Sequence, residues 1–357
     1  MLAVLPAYVA TCAAVSLVAG AKPSFHAGVS PYDHRIVYVG RWDRRSTVGP
    51  RGAWPGVEVR LKLHGAGLQV TIDDTGPDWL QVEVDGAPTR GVQLQRGVQT
   101  LEVRMDRPGM HTVSFTKRTE ALVGAIQFLD FEPESGRLLE SDHKKRLFQV
   151  IGDSMTCGFG NEAGGPNEPF KPDTEDAYQT YGLIASRALD SDAEIIAWSG
   201  RKMWPDETIG SIYDLNVPSD PSSSFDFRSD PPEAILINIG TDDFKGSAPD
   251  EAEWTGAYKD FIGRLRFHYP KSFIYPAVGC MLSDTYPEGR QARTTMRNYL
   301  MRMVDGLRQA GDKRIRVFEF SQQREEDGYG CGYNPSVKTN QFMAVELEDQ
   351  LKRDLRW

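Results

Sequence analysis

The chain has 357 residues, with 41 basic and 50 acidic side chains giving a net charge of -9. That length buries a sizeable core and accommodates two domains, and an acidic chain with no basic block excludes a nucleic-acid surface or a polybasic lipid-binding arm. The cysteines, at 12, 157, 280 and 331, form no CxxC and no Cys/His pair at metal-ligand spacing, so no metal and no cofactor is expected. Cys280 and Cys331 can pair if secretion oxidises them, but buried free thiols are the preferred reading.

In chain order, the first segment is MLAVLPAYVATCAAVSLVAGA, which carries no charged side chain before Lys22. Its length is about that of a bilayer span. Residues 1–21 therefore read as a membrane anchor or a signal peptide. A retained anchor through residues 2–21, in an organellar membrane such as the mitochondrial or at the cell surface, is preferred; secretion after cleavage is the alternative, although the basic n-region is missing. The absence of any Asn-x-Ser/Thr acceptor weighs against a eukaryotic secretory route.

Residues 30–135 follow a period of two. In GVEVRLKLHG, Val57, Val59, Leu61 and Leu63 alternate with Glu58, Arg60, Lys62 and His64, which describes a strand with one buried face. The runs LQVTI, LQVEV, TLEVRM and HTVSFT are separated by turn signals including Asp85-Gly86 and Pro108-Gly109, which predicts an antiparallel β-sandwich.

After the charged joint ESDHKKR, residues 145–357 alternate short apolar runs with helical periods. The predicted strands are LFQVIG, EIIAWSG, AILINIG, SFIYPAVG and IRVFEF. Tyr181, Ile184, Ala185 and Ala188 mark one helix face, and Met343, Leu347 and Leu351 mark another behind Thr339 as N-cap. The expected fold class is α/β, with a parallel sheet covered by helices on both faces. Sites in such sheets form beyond the carboxyl ends of the strands, where Ser154, Gly200 and residues 240–243 fall.

The segments IGDSMTCGFGNE, YQTYGLIASRAL, WSGRKMW, ILINIGTDDF and GCGYNPSVKTNQFMA resemble, in order and spacing, the conserved blocks of the SGNH (GDSL) hydrolase superfamily. With YVGRWD, AWPG and KRTEALVGAIQFLDFE ahead of them, the chain more closely resembles carbohydrate esterase family 2. The resemblance implies an N-terminal jelly-roll-like sandwich and a three-layer α/β/α catalytic domain that removes acetyl groups from plant polysaccharides or glycosides. Carried onto this chain, Ser154 is the nucleophile position and Gly200 an oxyanion donor. Asp242 stands at the oxyanion asparagine, and Asn334 at the catalytic histidine.

Two of those positions are altered. A carboxamide such as Asn334 cannot accept the serine proton, and losing the base of a serine hydrolase costs about six orders of magnitude in turnover. Gly332 stands where an acidic partner of the histidine is common. An ionised Asp242 only accepts hydrogen bonds, and loss of one oxyanion donor costs roughly a hundredfold to a thousandfold. His34, His64, His111, His143 and His268 all lie away from the strand ends that carry the site, and Asn340 replaces a second histidine position. Asp153 and Ser154 read first as a tight strand exit. Trp198 and Trp204 read as packing residues, and Asp243 as a structural hydrogen-bonding group rather than a cation ligand with Asp153, Asp242 and Ser154.

These departures support a catalytically inactive esterase-like protein, serving as a structural or accessory subunit with protein partners in a membrane-associated assembly. Two alternatives place an acetylated carbohydrate in the cleft. One is a carbohydrate O-acetyl esterase of the acetylxylan-esterase type with residual or rearranged serine chemistry; the other is a non-catalytic carbohydrate-binding protein.

Overall fold

A computed structural model describes residues 14–18 and 28–357, except 229 and 287. Strand β1 (Ala14–Val18) pairs antiparallel with residues 100–104 of the sandwich. Five residues of the apolar N-terminal segment thus form sheet, and the rest of the proposed anchor lies outside the described residues. Among the described residues no helix is long and apolar enough to cross a membrane.

The sandwich is built on two long strands, β2 (Glu58–Asp74) and β4 (Gly97–Lys117), antiparallel along their length. β3 (Trp79–Val84) pairs with β4 on its other side, and β5 (Ile126–Glu134) pairs with β2. The expected alternation holds, since Val57, Val59, Leu61 and Leu63 are at most 1% exposed. The strand count does not. GVEVRLKLHG and LQVTI form one strand, as do TLEVRM and HTVSFT. Pro108-Gly109 is no hairpin turn: Gly65 pairs with Gly109 and Gly67 with Arg104, so residues 105–108 bulge out of a continuing strand. A bulge bends a long strand without ending it, which lets the same strand serve both parts of the sandwich. Asp85-Gly86 is the turn expected, with φ of 53° and 79°.

The second domain contains β6 (Leu147–Gly152), α1 (Ser154–Cys157), α2 (Tyr181–Ala188), β7 (Asp192–Ala197), β8 (Ala234–Asn238), α3 (Thr241–Phe244), α4 (Glu251–His268), β9 (Phe273–Val278), α5 (Ala292–Gln309), β10 (Phe318–Glu319) and α6 (Val337–Leu355). The five strands are parallel in the order β7-β6-β8-β9-β10. Both faces are covered. Val150, Ile195 and Leu236 pack with residues of α2 and α6, whereas Ile151, Ile196, Ile235 and Ile237 pack with α4 and α5. Two-sided burial explains the unbroken apolar runs. Helix α6 starts one turn before the expected cap: Ser336, not Thr339, is the N-cap, and its side chain accepts from Thr339 N–H. On α2, Ala188 is exposed while Leu183 and Leu189 are buried, so its inner face is rotated from the one expected.

The domains share buried contacts. Arg41, fully buried, reaches Glu194 on edge strand β7 at 2.5 Å and lies 4.0 Å from the Phe225 ring. Cys157, Cys280 and Cys331 are buried free thiols, so the Cys280 to Cys331 bridge is not formed.

Candidate active site

Strand β6 lies inside the sheet between β7 and β8, and the chain leaves it through Gly152. A Cβ there would lie 1.9 Å from Thr156 Oγ1, so glycine is needed for α1 to fold back over the strand end. Asp153 then caps the helix, its Oδ1 accepting from Met155 N–H at 3.1 Å. This leaves Ser154, half-buried, at the first helical position.

Ser154, Asp242 and Asn334 line one cleft of about 600 Å³, together with Met281, Ser283, Thr285, Tyr286, Gln322, Gln323, Tyr329 and Tyr333. The cleft sits at the carboxyl ends of β6, β8, β9 and β10. Gly200 follows β7 on an adjacent turn at φ 81°, exposed and outside the cleft lining. The turn is closed by Arg201 N–H to Trp198 O at 3.2 Å.

Asn334 and Asp242 sit in different surroundings. Asn334 is buried; its Nδ2 donates to Cys331 O at 3.0 Å, while its Oδ1 is buried without a partner. The amide is thus spent on its own turn. The Asp242 side chain is 24% exposed, with its carboxylate 3.9 Å from Lys245 Nζ. Asp243 accepts from Met203 N–H, Trp204 N–H and Trp254 Nε1–H, the last at 2.8 Å, which gives it the structural role expected. Burial, then the Asp242 charge, pushes the Asp153 carboxyl up to about 8, and its Oδ2 has no partner.

No histidine among the described residues stands in for the base. His34 is 81% exposed, and His64 lies on β2 in the sandwich. His111 pairs with Asp85 at 2.7 Å, His143 lines a separate groove at the domain joint, and His268 stacks on Phe227. His26 lies outside the described residues. Asn340 is buried and structural: its Oδ1 accepts from Tyr181 N–H at 3.1 Å, and its Nδ2 donates to Pro335 O and Ser336 O. Trp198 and Trp204 pack against the core and do not line the cleft. No group of three or more acidic, histidine or cysteine side chains suited to a metal occurs among the described residues.

Sequence reasoning missed most of the cleft wall. Gln322, Gln323 and Tyr286 carry no motif of their own, and Tyr333 lies in the GCGYNPS segment without a role assigned to it. Their signal was position, in the loops that follow β9 and β10.

A family model described as carbohydrate esterase 2 N-terminal matches residues 38–141, and one described as GDSL-like lipase/acylhydrolase matches residues 150–341. A solved family two carbohydrate esterase from Clostridium thermocellum, in complex with cellohexaose, is 34% identical, with 90% of this chain and 99% of that one covered at a TM-score of 0.86. The chain belongs to carbohydrate esterase family 2. An active-site mutant of a family two esterase from the same organism, also solved as a complex, matches with the same 34% identity and TM-score of 0.86. Among curated proteins, the cellulase/esterase CelE of Acetivibrio thermocellus is 34% identical over 330 residues, which is 90% of this chain but only 40% of that relative's length. An acetylxylan esterase/glucomannan deacetylase from Cellvibrio japonicus is 23% identical over 92% of this chain and 91% of its own. Family membership carries the expected fold, and these relatives are named for carbohydrate substrates. None is named as a subunit of a membrane assembly, so the accessory-subunit reading gains no support from them.

Proposed function

We propose that this family 2 chain takes β-linked glycans bearing O-acetyl groups into the Ser154 cleft. Serine-dependent deacetylation is the reaction on which the site is built, and its turnover is held down by Asn334 and Asp242. The observation that carries the reading is the convergence of Ser154, Asp242 and Asn334 on one cleft walled by tyrosine, glutamine and hydroxyl side chains. Aromatic faces and amide groups suit the apolar faces and hydroxyl edges of pyranose rings. The family resemblance in both domains and the named activities of the relatives support the substrate class. A polymeric glycan is met outside the cell, which favours export of the chain over a retained anchor.

In the forward reaction Ser154 Oγ attacks the acetyl carbonyl while its proton leaves to a base. Asn334 offers no basic nitrogen, so that proton has only water or the cleft carboxylate of Asp242 as an acceptor. The developing oxyanion faces the backbone N–H groups of Ser154 and Gly200, with Asp242 in place of a side-chain donor. Both changes raise the barrier, whereas neither removes a wall of the cleft.

Non-catalytic glycan binding is the second reading, and the bond of Asn334 Nδ2 to Cys331 O favours it, because the position works as a turn closure. Titration with cellohexaose and with an acetylated xylo-oligosaccharide, followed by product analysis, separates the two. Binding with release of acetate that Ser154→Ala stops supports deacetylation; binding without acetate supports the second reading; no binding of either sugar overturns both.

A further inference from the structure

The wall of the site opposite the cleft is reached by a side chain from the other domain. Strand β4 ends at Lys117, which is fully buried and lies 2.7 Å from the Asp78 carboxylate. Lys117 Nζ also donates to Thr119 O at 2.6 Å and Glu120 O at 3.1 Å, which folds residues 117–120 into a tight excursion off the sandwich. Glu120 N–H donates to Glu175 Oε2 at 3.0 Å, fixing the excursion to the catalytic domain.

The Glu120 side chain then touches both halves of the candidate oxyanion machinery. Its Oε2 accepts from Ser199 N–H at 2.9 Å, one residue before Gly200. The same oxygen faces the Cys157 thiol at 3.7 Å, on the helix that begins with Ser154. Glu120 has no exposure, and its Oε1 has no partner.

We propose that Glu120 is a positioning residue supplied by the sandwich domain. It sets the turn that carries Gly200 against the helix that carries Ser154, so the Gly200 and Ser154 N–H groups converge on one carbonyl oxygen. The inference rests on the deacetylase reading of the cleft. It gives the N-terminal domain a part in the reaction, where carbohydrate binding or simple packing would leave residues 198–201 to their own turn. Burial pushes both the Glu120 and Glu175 carboxyls up, so a protonated Glu120 still presents an acceptor oxygen to Ser199. Glutamine reproduces that state in shape and charge.

Two substitutions in the full chain test this. Glu120→Gln keeps an acceptor at Ser199, whereas Glu120→Asp keeps the acid and withdraws it by one methylene. Each is made in the unmodified chain and in the Asp242→Asn, Asn334→His background, with two readouts: hydrogen exchange at the Ser199 amide, and kcat and KM for an acetyl ester. Glu120→Gln is expected to retain Ser199 protection and kcat. Glu120→Asp is expected to speed Ser199 exchange and lower kcat by about tenfold to a hundredfold at unchanged KM, the size of effect that misplacement by about 1 Å produces. Unchanged Ser199 exchange in Glu120→Asp, or equal kcat losses in both variants, overturns the proposal. Where Glu120→Asp does not fold, Glu120→Gln decides alone: retained Ser199 protection supports positioning through the acceptor, and lost protection contradicts it. Absence of acetyl-ester turnover in every background sinks the deacetylase reading, while the exchange measurement still decides whether Glu120 holds the Gly200 turn.

Discussion

Two turns meet at the cleft, one carrying Ser154 and the other Asn334, and they are stitched together. Cys331 N–H donates to Gly160 O at 3.0 Å, Val337 N–H donates to Asn161 O at 3.2 Å, and a Cβ on Gly330 would lie 2.4 Å from Gly160 O. The Ser154 turn is tightly held: a Cβ on Gly152 would lie only 1.9 Å from Thr156 Oγ1, and Asp153 caps Met155 N–H. The Asn334 turn is closed by the side-chain bond to Cys331 O, and its carboxamide offers no basic nitrogen. Packing preserves a backbone, whereas catalysis depends on single atoms that packing does not require.

The largest effect should come from making the two turns chemically equal again. Asn334→His with Asp242→Asn restores a base and a donor, and acetyl-ester turnover is expected to rise at least ~10³-fold in steady-state assays. A smaller rise would mean that Gly332 or the turn geometry, rather than the two side chains, limits the reaction.

The nucleophile turn is expected to be the less forgiving of the two to added bulk. Gly152→Ala forces a methyl into Thr156 Oγ1, and about 3 kcal/mol of stability should be lost in denaturant unfolding. Asn340→Ala, behind the Asn334 turn, strips Tyr181 N–H and Pro335 O of their side-chain partner, while Ser336 O keeps the Asn340 backbone N–H; a loss of about 2 kcal/mol is expected in the same measurement.

The last effect is a slope. The Asp153 carboxyl is pushed up to about 8 in the fold from 3.8, so the folded state binds the extra proton between those values. The proton is bound by both states below about pH 4, and stability from this group falls as pH rises toward about 8. Asp153→Asn retains the oxygen that caps Met155 N–H and cannot titrate. Its stability measured from pH 5 to 7 should decline less steeply than that of the unmodified chain, by up to about 1.4 kcal/mol per pH unit.

Much of this was legible in the residues. Alternation from Val57 to Leu63 disclosed the sandwich, and unbroken apolar runs disclosed a sheet buried on both faces. Ser154, Gly200, Asp242 and Asn334 could be named because the blocks around them resemble those of carbohydrate esterase family 2. The long strands were not legible, since a bulge at Gly65 and Gly67 looks like a strand boundary when only local period is read. Pro108-Gly109 misled for the same reason: turn residues also serve bulges. Glu120 lies in the KRTEALVG segment, but nothing in its spacing points to Ser199, 79 residues on. Asn340 was visible only as a substitution, whereas its bond to Tyr181 N–H shows a structural use.

The central claim is that the cleft still receives acetylated glycan while Asn334 and Asp242 hold turnover down. The most direct test is the rate of acetate release from an acetylated xylo-oligosaccharide at saturating concentration, measured for the unmodified chain and its Ser154→Ala variant. A release rate at least ~10³-fold below that of the double reversion, and lost in Ser154→Ala, is the predicted result. Release at the rate of the double reversion, or release that survives Ser154→Ala, would contradict it.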